Sequence, residues 1–399
     1  MNLAITPESE DAAALAARVR DFVTKVCIPR EDAWRATGKA VSDDLRWELI
    51  GEARAQGLYG LHLPLEFGGR DIDHRSRAQV FEAAGYSLLG PMALHCAAPD
   101  EGNQHLLNLV AEGEHREAYL KPLCEGHRSC FMMTEPGGAG ADPGLLKTVA
   151  VPDGDDYLIS GRKWYITGAL GARFAIIMAR DGAAEDAPPS MFLTSMDTPG
   201  IEIVGEMDVM AHDSAGGHCV VHLNRVRVHR SQILGEPGQA LRYAQVRLAP
   251  ARLTHCMRWL GAAERCHDIA RSHAARRRVF GARLGEHQGV GFQLADNEID
   301  LYVSRQAIAH ACGLLDAGAK GRHESSMVKV FVSEAASRVV DRSLQILGGL
   351  GVTGYTPVEH IYRSIRAFRI YDGPSETHRW AISRRALPAE DSALPALTD

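Results

Sequence analysis

No apolar run in this 399-residue chain approaches the ~18 residues a membrane-spanning helix needs, so no transmembrane span is expected. The N-terminal stretch MNLAITPESEDAAALAARV lacks a basic segment followed by an apolar one, and so does not read as a secretory signal. Eight cysteines are scattered without a C-x-x-C pair. That argues against a disulfide or zinc framework and for reduced thiols; no metal and a cytoplasmic location are expected. Positive charge is not in excess: 44 basic against 50 acidic residues leaves −6, so no nucleic-acid partner is expected. No internal repeat is found. What remains is 45% hydrophobic and 24% charged, the composition of a globular protein long enough for two or three domains.

Taken in order, the chain changes character twice. Residues 12–26 place Leu15, Val19, Phe22 and Val26 on one helical face. A Pro/Gly-broken connector, LYGLHLPLEFGG, spans 58–69, and helical patterns resume at 75–85 and 103–120. From about 128, short β-prone runs at 148–151, 157–160, 174–179, 191–195 and 218–228 are punctuated by Gly154-Asp155-type turns. Short strands without helices between them predict a small antiparallel barrel or sandwich rather than a parallel sheet. From about 237 the pattern is helical again. Val290, Leu294, Leu301, Ile308, Cys312 and Leu315 form one stripe, and Val328, Val332, Ala335, Val339 and Ile346 another, as in a helix bundle. The Ala/Pro/Asp tail after Leu387 is expected to be disordered.

The stretch from 130 to 170 carries the chemistry. CFMMTEPGGAGADPG places small residues from Gly137 to Ala141 after Thr134-Glu135-Pro136, so backbone N–H groups can approach a ring or phosphate closely. Lys163-Trp164-Tyr165-Ile166-Thr167-Gly168 then sets two aromatics beside a hydroxyl, suited to covering a planar ligand and bonding its edge. The plain alternative is a Gly-rich turn followed by an ordinary strand. Gly349-Leu350-Gly351-Val352-Thr353-Gly354 satisfies G-x-G-x-x-G, but it follows a long helix and lacks a βαβ context, so a Rossmann site is not expected. His255-Cys256 has the wrong geometry for a metal pair and reads as core or interface packing.

TEP, the small-residue run and GRKWYITG, followed far downstream by QILGG at 345–349 and YDGPSE at 371–376, resemble the signatures of acyl-CoA dehydrogenases, in the right order. APDEGN at 98–103 and HCMRWLG at 255–261 resemble the branch of family members ten and eleven. The resemblance runs from about residue 21 to 387. It implies an α+β fold: an N-terminal helical domain (1–127), a middle β-barrel domain (128–236), a C-terminal four-helix bundle (237–387) and a tail (388–399).

The same resemblance implies non-covalent FAD. Met133, Thr134, Ala141, Tyr165, Ile166 and Thr167 would contact the flavin. Arg277, Phe280, Gln288, Gln345, Gly348, Gly349 and Glu376 would hold the dinucleotide, in part across a subunit boundary, which implies a homodimer or, preferably, a homotetramer. Arg252, Tyr371 and Gly373 would contact an acyl-CoA substrate, although Arg252 alone could be a surface charge. Electrons would leave to an electron-transfer flavoprotein.

Oxidising an acyl thioester at Cα–Cβ needs a base at the α-carbon. Most relatives place a Glu at the position of Asp372; a minority place the base just before the Arg matched by Arg252, which here is Ala251. No Asp or Glu occurs from 242 to 261, leaving Asp372 as the acid at either position. The competing reading is that Asp372 caps the helix starting near Pro374. Ala141 stands where relatives have Ser. A flavin oxidase on the same fold, nitroalkane-oxidase-like or acting on acyl-CoA, and a non-catalytic CoA- or flavin-binding relative are the rival functions.

Overall fold

The computed structural model describes residues 11–387 apart from 183 and 185. The tail expected to be disordered lies outside the described residues. Helices come first: α1 (Ala12–Phe22), α2 (Ile28–Arg35), α3 (Asp43–Ala55), α4 (His74–Gly85), α5 (Gly90–Ala93), α6 (Asp100–Val110) and α7 (Lys121–Cys124). Strands β1 (Ser129–Met132), β2 (Val149–Asp153), β3 (Asp156–Thr167), β4 (Phe174–Asp181), β5 (Pro189–Ser195), β6 (Ile201–Glu206) and β7 (His218–His229) follow. The chain then returns to helix: α8 (Ala240–Arg276), a short ribbon of β8 (Arg278–Val279) and β9 (Ala282–Arg283), α9 (Gln288–Asp316), α10 (Arg322–Leu347), α11 (Val358–Arg366) and α12 (Ser375–Ala386).

Two expectations need correcting. The helix anticipated over 103–120 breaks after Val110, where Ala111 is extended (φ −76, ψ 134) ahead of Gly113 at φ +48, and resumes as a π-helical turn at Arg116–Leu120. Extended backbone at Ala111 ends the run that the apolar spacing had bridged, and Gly113 then turns the chain. The sheet is mixed rather than purely antiparallel. β4 pairs in parallel with β1 at one end and with β2 at the other, while the β2–β3, β3–β7, β6–β7 and β4–β5 pairs are antiparallel. β1 reaches β4 only after the chain has passed through β2 and β3, a crossover that strand composition does not encode.

One core joins the N-terminal and C-terminal helices, with Phe22, Phe81, Leu260, Val332, Val340 and Phe368 among its members. α4 and α8 meet through glycines. A Cβ on Gly85 would lie 2.0 Å from the Arg258 carbonyl oxygen, and one on Gly261 would lie 2.0 Å from that of Glu82. Backbone therefore packs on backbone, and this close crossing fixes the rotation of α8, whose other face lines the site. Ile166, Ala175, Ile177, Phe192 and Val221 fill the sheet's own core.

Candidate active site

A cavity of about 1550 Å³ lies where the sheet meets α6, α8, α10 and α12. This exceeds the ~300–1,000 Å³ of an ordinary ligand pocket and suits two ligands side by side. Its sheet wall is built by an irregular strand. β3 shifts register against β7 between Lys163 and Ile166, and Tyr165 sits in the bulge with φ +52. A bulge re-aims side chains. Here Trp164 and Tyr165 both face the cavity, with ring centroids 5.0 Å apart. Trp164 N–H donates to Thr134 O at 3.1 Å, so the two segments singled out in the sequence are tied together. Beneath them Lys163, fully buried, donates to Glu135 at 2.8 Å and to Met178 O at 2.7 Å.

Met133, Thr134, Ala141, Tyr165 and Thr167 line this cavity. Ile166 does not: its side chain is buried in the sheet core. Thr167 Oγ1 lies 3.0 Å from His218 Nδ1. The small-residue run is needed for space. A Cβ on Gly138 would come within 2.9 Å of Leu145 O, and Gly137 has φ +63. An aromatic wall, a hydroxyl edge and a side-chain-free floor fit an isoalloxazine ring.

The opposite wall is one face of α8. Arg247, Ala251, Arg252, His255, Arg258 and Trp259 recur at helical spacing and all line the cavity. Against them lies the turn after α11, where Asp372 has φ +53 and Gly373 φ +97. Gly373 cannot carry a side chain, since a Cβ would sit 2.5 Å from His378 Nε2. Cationic donors hold the turn's backbone. Arg252 Nε donates to Asp372 O at 3.2 Å, and Lys329 Nζ donates to Gly373 O at 2.7 Å. His378 Nε2 lies 3.1 Å from Asp372 O. Tyr371 accepts a hydrogen bond from Trp259 Nε1.

The Asp372 carboxylate, 19% exposed, places Oδ2 3.3 Å from His255 Nε2. It makes no capping bond: α12 starts at Ser375 with Pro374 as its N-cap residue and no side-chain acceptor there. Burial pushes the carboxyl up, but the hydrogen bond from His255 and the charges of Arg247 and Arg252 outweigh that and hold it well below the usual carboxylate range. His255 is lowered from its ordinary value by burial and by Arg258, against the pull of Asp372. The expectation that His255 merely packs in a core or interface is therefore corrected, whereas Cys256 is fully buried. Arg252 is buried rather than a surface charge.

The remaining expected cofactor residues lie elsewhere. Arg277, Gln288, Gln345, Gly348, Gly349 and Glu376 are exposed and do not line the cavity. Phe280 is 97% exposed. Within one chain they do not converge with the Tyr165 segment. The G-x-G-x-x-G turn follows α10 as a 3-10 segment, Gly348–Val352, not a strand. Sequence reading missed His255, Arg258, Lys329 and His378; the repeat of polar residues along 247–258 was the available signal.

Fold and site together define a flavin-dependent oxidoreductase with a helical–sheet–helical arrangement. Residues 9–127 match the acyl-CoA dehydrogenase N-terminal domain, 130–226 the middle domain and 238–387 the C-terminal domain. The chain belongs to the acyl-CoA dehydrogenase family. It is 36% identical over 393 residues to "Probable acyl-CoA dehydrogenase FadE2" of Mycobacterium tuberculosis, covering 95% of this chain and 96% of that protein. It is 34% identical to acyl-CoA dehydrogenase family member 11 of Gallus gallus over 86% of this chain, and it spans 45% of that longer relative. Among solved structures, butyryl-CoA dehydrogenase from Megasphaera elsdenii superposes with TM-score 0.85 at 25% identity, covering 97% of this chain and 100% of that one. The FAD complex of PigA shares the fold, with TM-score 0.84 at 21% identity over 97% of this chain and 99% of that one. The protein is an enzyme of this FAD-dependent family. Among the described residues no helix is long and apolar enough to cross a membrane.

Proposed function

We propose that the protein dehydrogenates an acyl-CoA thioester at Cα–Cβ, with Asp372 removing the α-proton. One observation carries this reading. The Asp372 carboxylate opens into the same cavity as the Tyr165–Thr134 wall, is held ionised, and leaves Oδ1 without a hydrogen bond among the described residues. Bound FAD supplies the hydride acceptor. Met133, Thr134, Ala141, Tyr165 and Thr167 would hold its ring, with the Ile166 backbone at the edge. Arg252, Tyr371 and Gly373 would position the thioester, and Leu88, Pro91, Phe131 and Leu248 would contact the acyl chain.

Arg277, Phe280, Gln288, Gln345, Gly348, Gly349 and Glu376 would complete the dinucleotide site of a neighbouring subunit in a dimer or tetramer. Their exposure supports this, together with that of the apolar side chains Val352 and Tyr355 nearby. An electron-transfer flavoprotein is the proposed acceptor. All eight cysteines are free and buried, which suits a reducing compartment such as the cytoplasm.

The test is anaerobic bleaching of the bound flavin by a panel of acyl-CoAs. Wild type should bleach with at least one chain. Asp372→Asn should retain FAD and lose at least ~10²-fold in rate, the lower range for loss of a general base. Undiminished bleaching by Asp372→Asn would remove Asp372 from the chemistry.

A further inference from the structure

We infer that His255 is the positioning residue for Asp372: it holds the carboxylate by an Nε2–H donor whose tautomer is dictated by Arg258. This rests on the reading of Asp372 as the base. Arg258 Nη2 lies 3.0 Å from His255 Nδ1. A guanidinium can only donate, so Nδ1 must accept and the ring proton must sit on Nε2. That Nε2 is 3.3 Å from Asp372 Oδ2. Arg258 is itself anchored, donating through Nη1 to Cys96 O at 2.6 Å. The ring is clamped by aromatics, with centroids 4.8 Å from Tyr371 and 6.0 Å from Phe368.

The consequences are chemical. With Nδ1 occupied by a donor, His255 cannot take up a second proton without losing the Arg258 bond. A proton removed from the α-carbon therefore stays on the carboxyl of Asp372 and is not passed into the protein. The fixed N–H also orients the carboxylate, directing the other oxygen at the cavity. Without it the carboxyl would be buried and free to rotate on a turn already in the left-handed region.

Other charges surround this pair. Arg247 and Arg252 of α8, Lys329 of α10 and His378 of α12 interact with the Asp372 carboxylate, while Glu101 of α6 faces His255 and Arg247, Asp100 of α6 faces Arg247, Arg322 of α10 faces Arg252, and Asp213 from the loop after β6 faces Tyr371. Only His255 among them touches the carboxylate oxygens, so its removal should act on Asp372 directly while the distant charges stay.

The experiment measures flavin reduction by a competent acyl-CoA against pH, on the FAD-loaded enzyme. His255→Phe keeps the ring packing and removes the donor. Its acid limb should move upward by about one pH unit or more as burial raises the carboxyl, with the rate recovering at higher pH. His255→Gln restores an N–H near the same place and should move the profile back toward wild type. If His255→Phe does not fold, His255→Asn, too short to reach Asp372, carries the same expectation. A wild-type profile in His255→Phe, or in His255→Asn where Phe fails to fold, would overturn the inference. If Asp372→Asn still reduces flavin, the base reading fails instead, whatever the His255 variants do.

Discussion

Lys329 Nζ, fully buried, donates to the carbonyl oxygen of Gly373 at 2.7 Å and lies 5.4 Å from the Phe368 ring centre. Burial lowers the ammonium to about 8. A cation is kept there at a cost because it is what ties α10 to the turn carrying Asp372. Lys329→Met keeps the length and removes the donor. The carbonyl loses its partner, but a buried charge is removed with it, so overall stability should change less than the turn's geometry. Flavin reduction should fall by on the order of 10–100-fold, the scale of a small misplacement near the reacting atoms, with FAD content unchanged. An unaltered rate would reduce Lys329 to a packing role.

The glycine crossing of α4 and α8 makes a second prediction. Gly261→Ala sets a Cβ 2.0 Å from a backbone oxygen, which no rotamer change relieves. The helices must part, costing about 1–3 kcal/mol or more. Because α8 carries the active-site face, activity should fall along with the unfolding midpoint. A midpoint equal to wild type would mean that the crossing is looser than described.

How much of this was readable beforehand depended on how local each feature was. The segments around Thr134 and Tyr165 were legible because small residues and paired aromatics announce themselves within twenty residues. The Asp372 turn was legible through its signature. The bond from His255 to Asp372 was not, because the partners lie far apart in the chain and only the folding of α8 against the turn brings them together. The parallel pairing of β1 with β4 was hidden for the same reason. The end of α6 was a local failure: apolar spacing continued across 111–113, and the extended backbone at Ala111 followed by left-handed Gly113 was not foreseen.

Acid should destabilise the fold through buried imidazoles. Burial lowers His95 to about 3, and His105 and His378 to about 4. All are neutral in the native state at pH 7, while an unfolded histidine takes a proton near 6.5. As pH falls from 6.5 toward 4, the unfolded chain binds protons that the native chain does not, so stability is lost in that window, by up to about 1.4 kcal/mol per pH unit for each group. Urea midpoints at pH 7.5, 6 and 5 should decline in that order, and His95→Phe, which keeps the stacking on Tyr59, should decline less steeply. A midpoint independent of pH would contradict the assignment.

The last prediction concerns the length of the acid at 372. The family resemblance implies glutamate at this place in most relatives, so Asp372→Glu could be thought an improvement. The geometry argues otherwise. Asp372 Oδ2 already stands 3.3 Å from His255 Nε2, and the His255 ring is fixed by Arg258 on one side and Tyr371 on the other. One more methylene pushes the carboxylate past that donor or bends it away from the cavity. The backbone compounds the problem. φ +53 is tolerated by Asp better than by longer side chains, and Arg252, Lys329 and His378 hold the carbonyls so that the turn cannot relax. Asp372→Glu should therefore keep FAD and bind acyl-CoA but reduce flavin more slowly than wild type, by about tenfold or more for a displacement of roughly 1 Å. The paired variant Asp372→Glu/His255→Ala, which opens room at the end of the longer chain, should be faster than Asp372→Glu alone at pH above the acid limb that loss of the His255 donor raises. Stopped-flow reduction under nitrogen reads both. A single Glu variant as fast as wild type would show that the pocket is not built around the shorter acid.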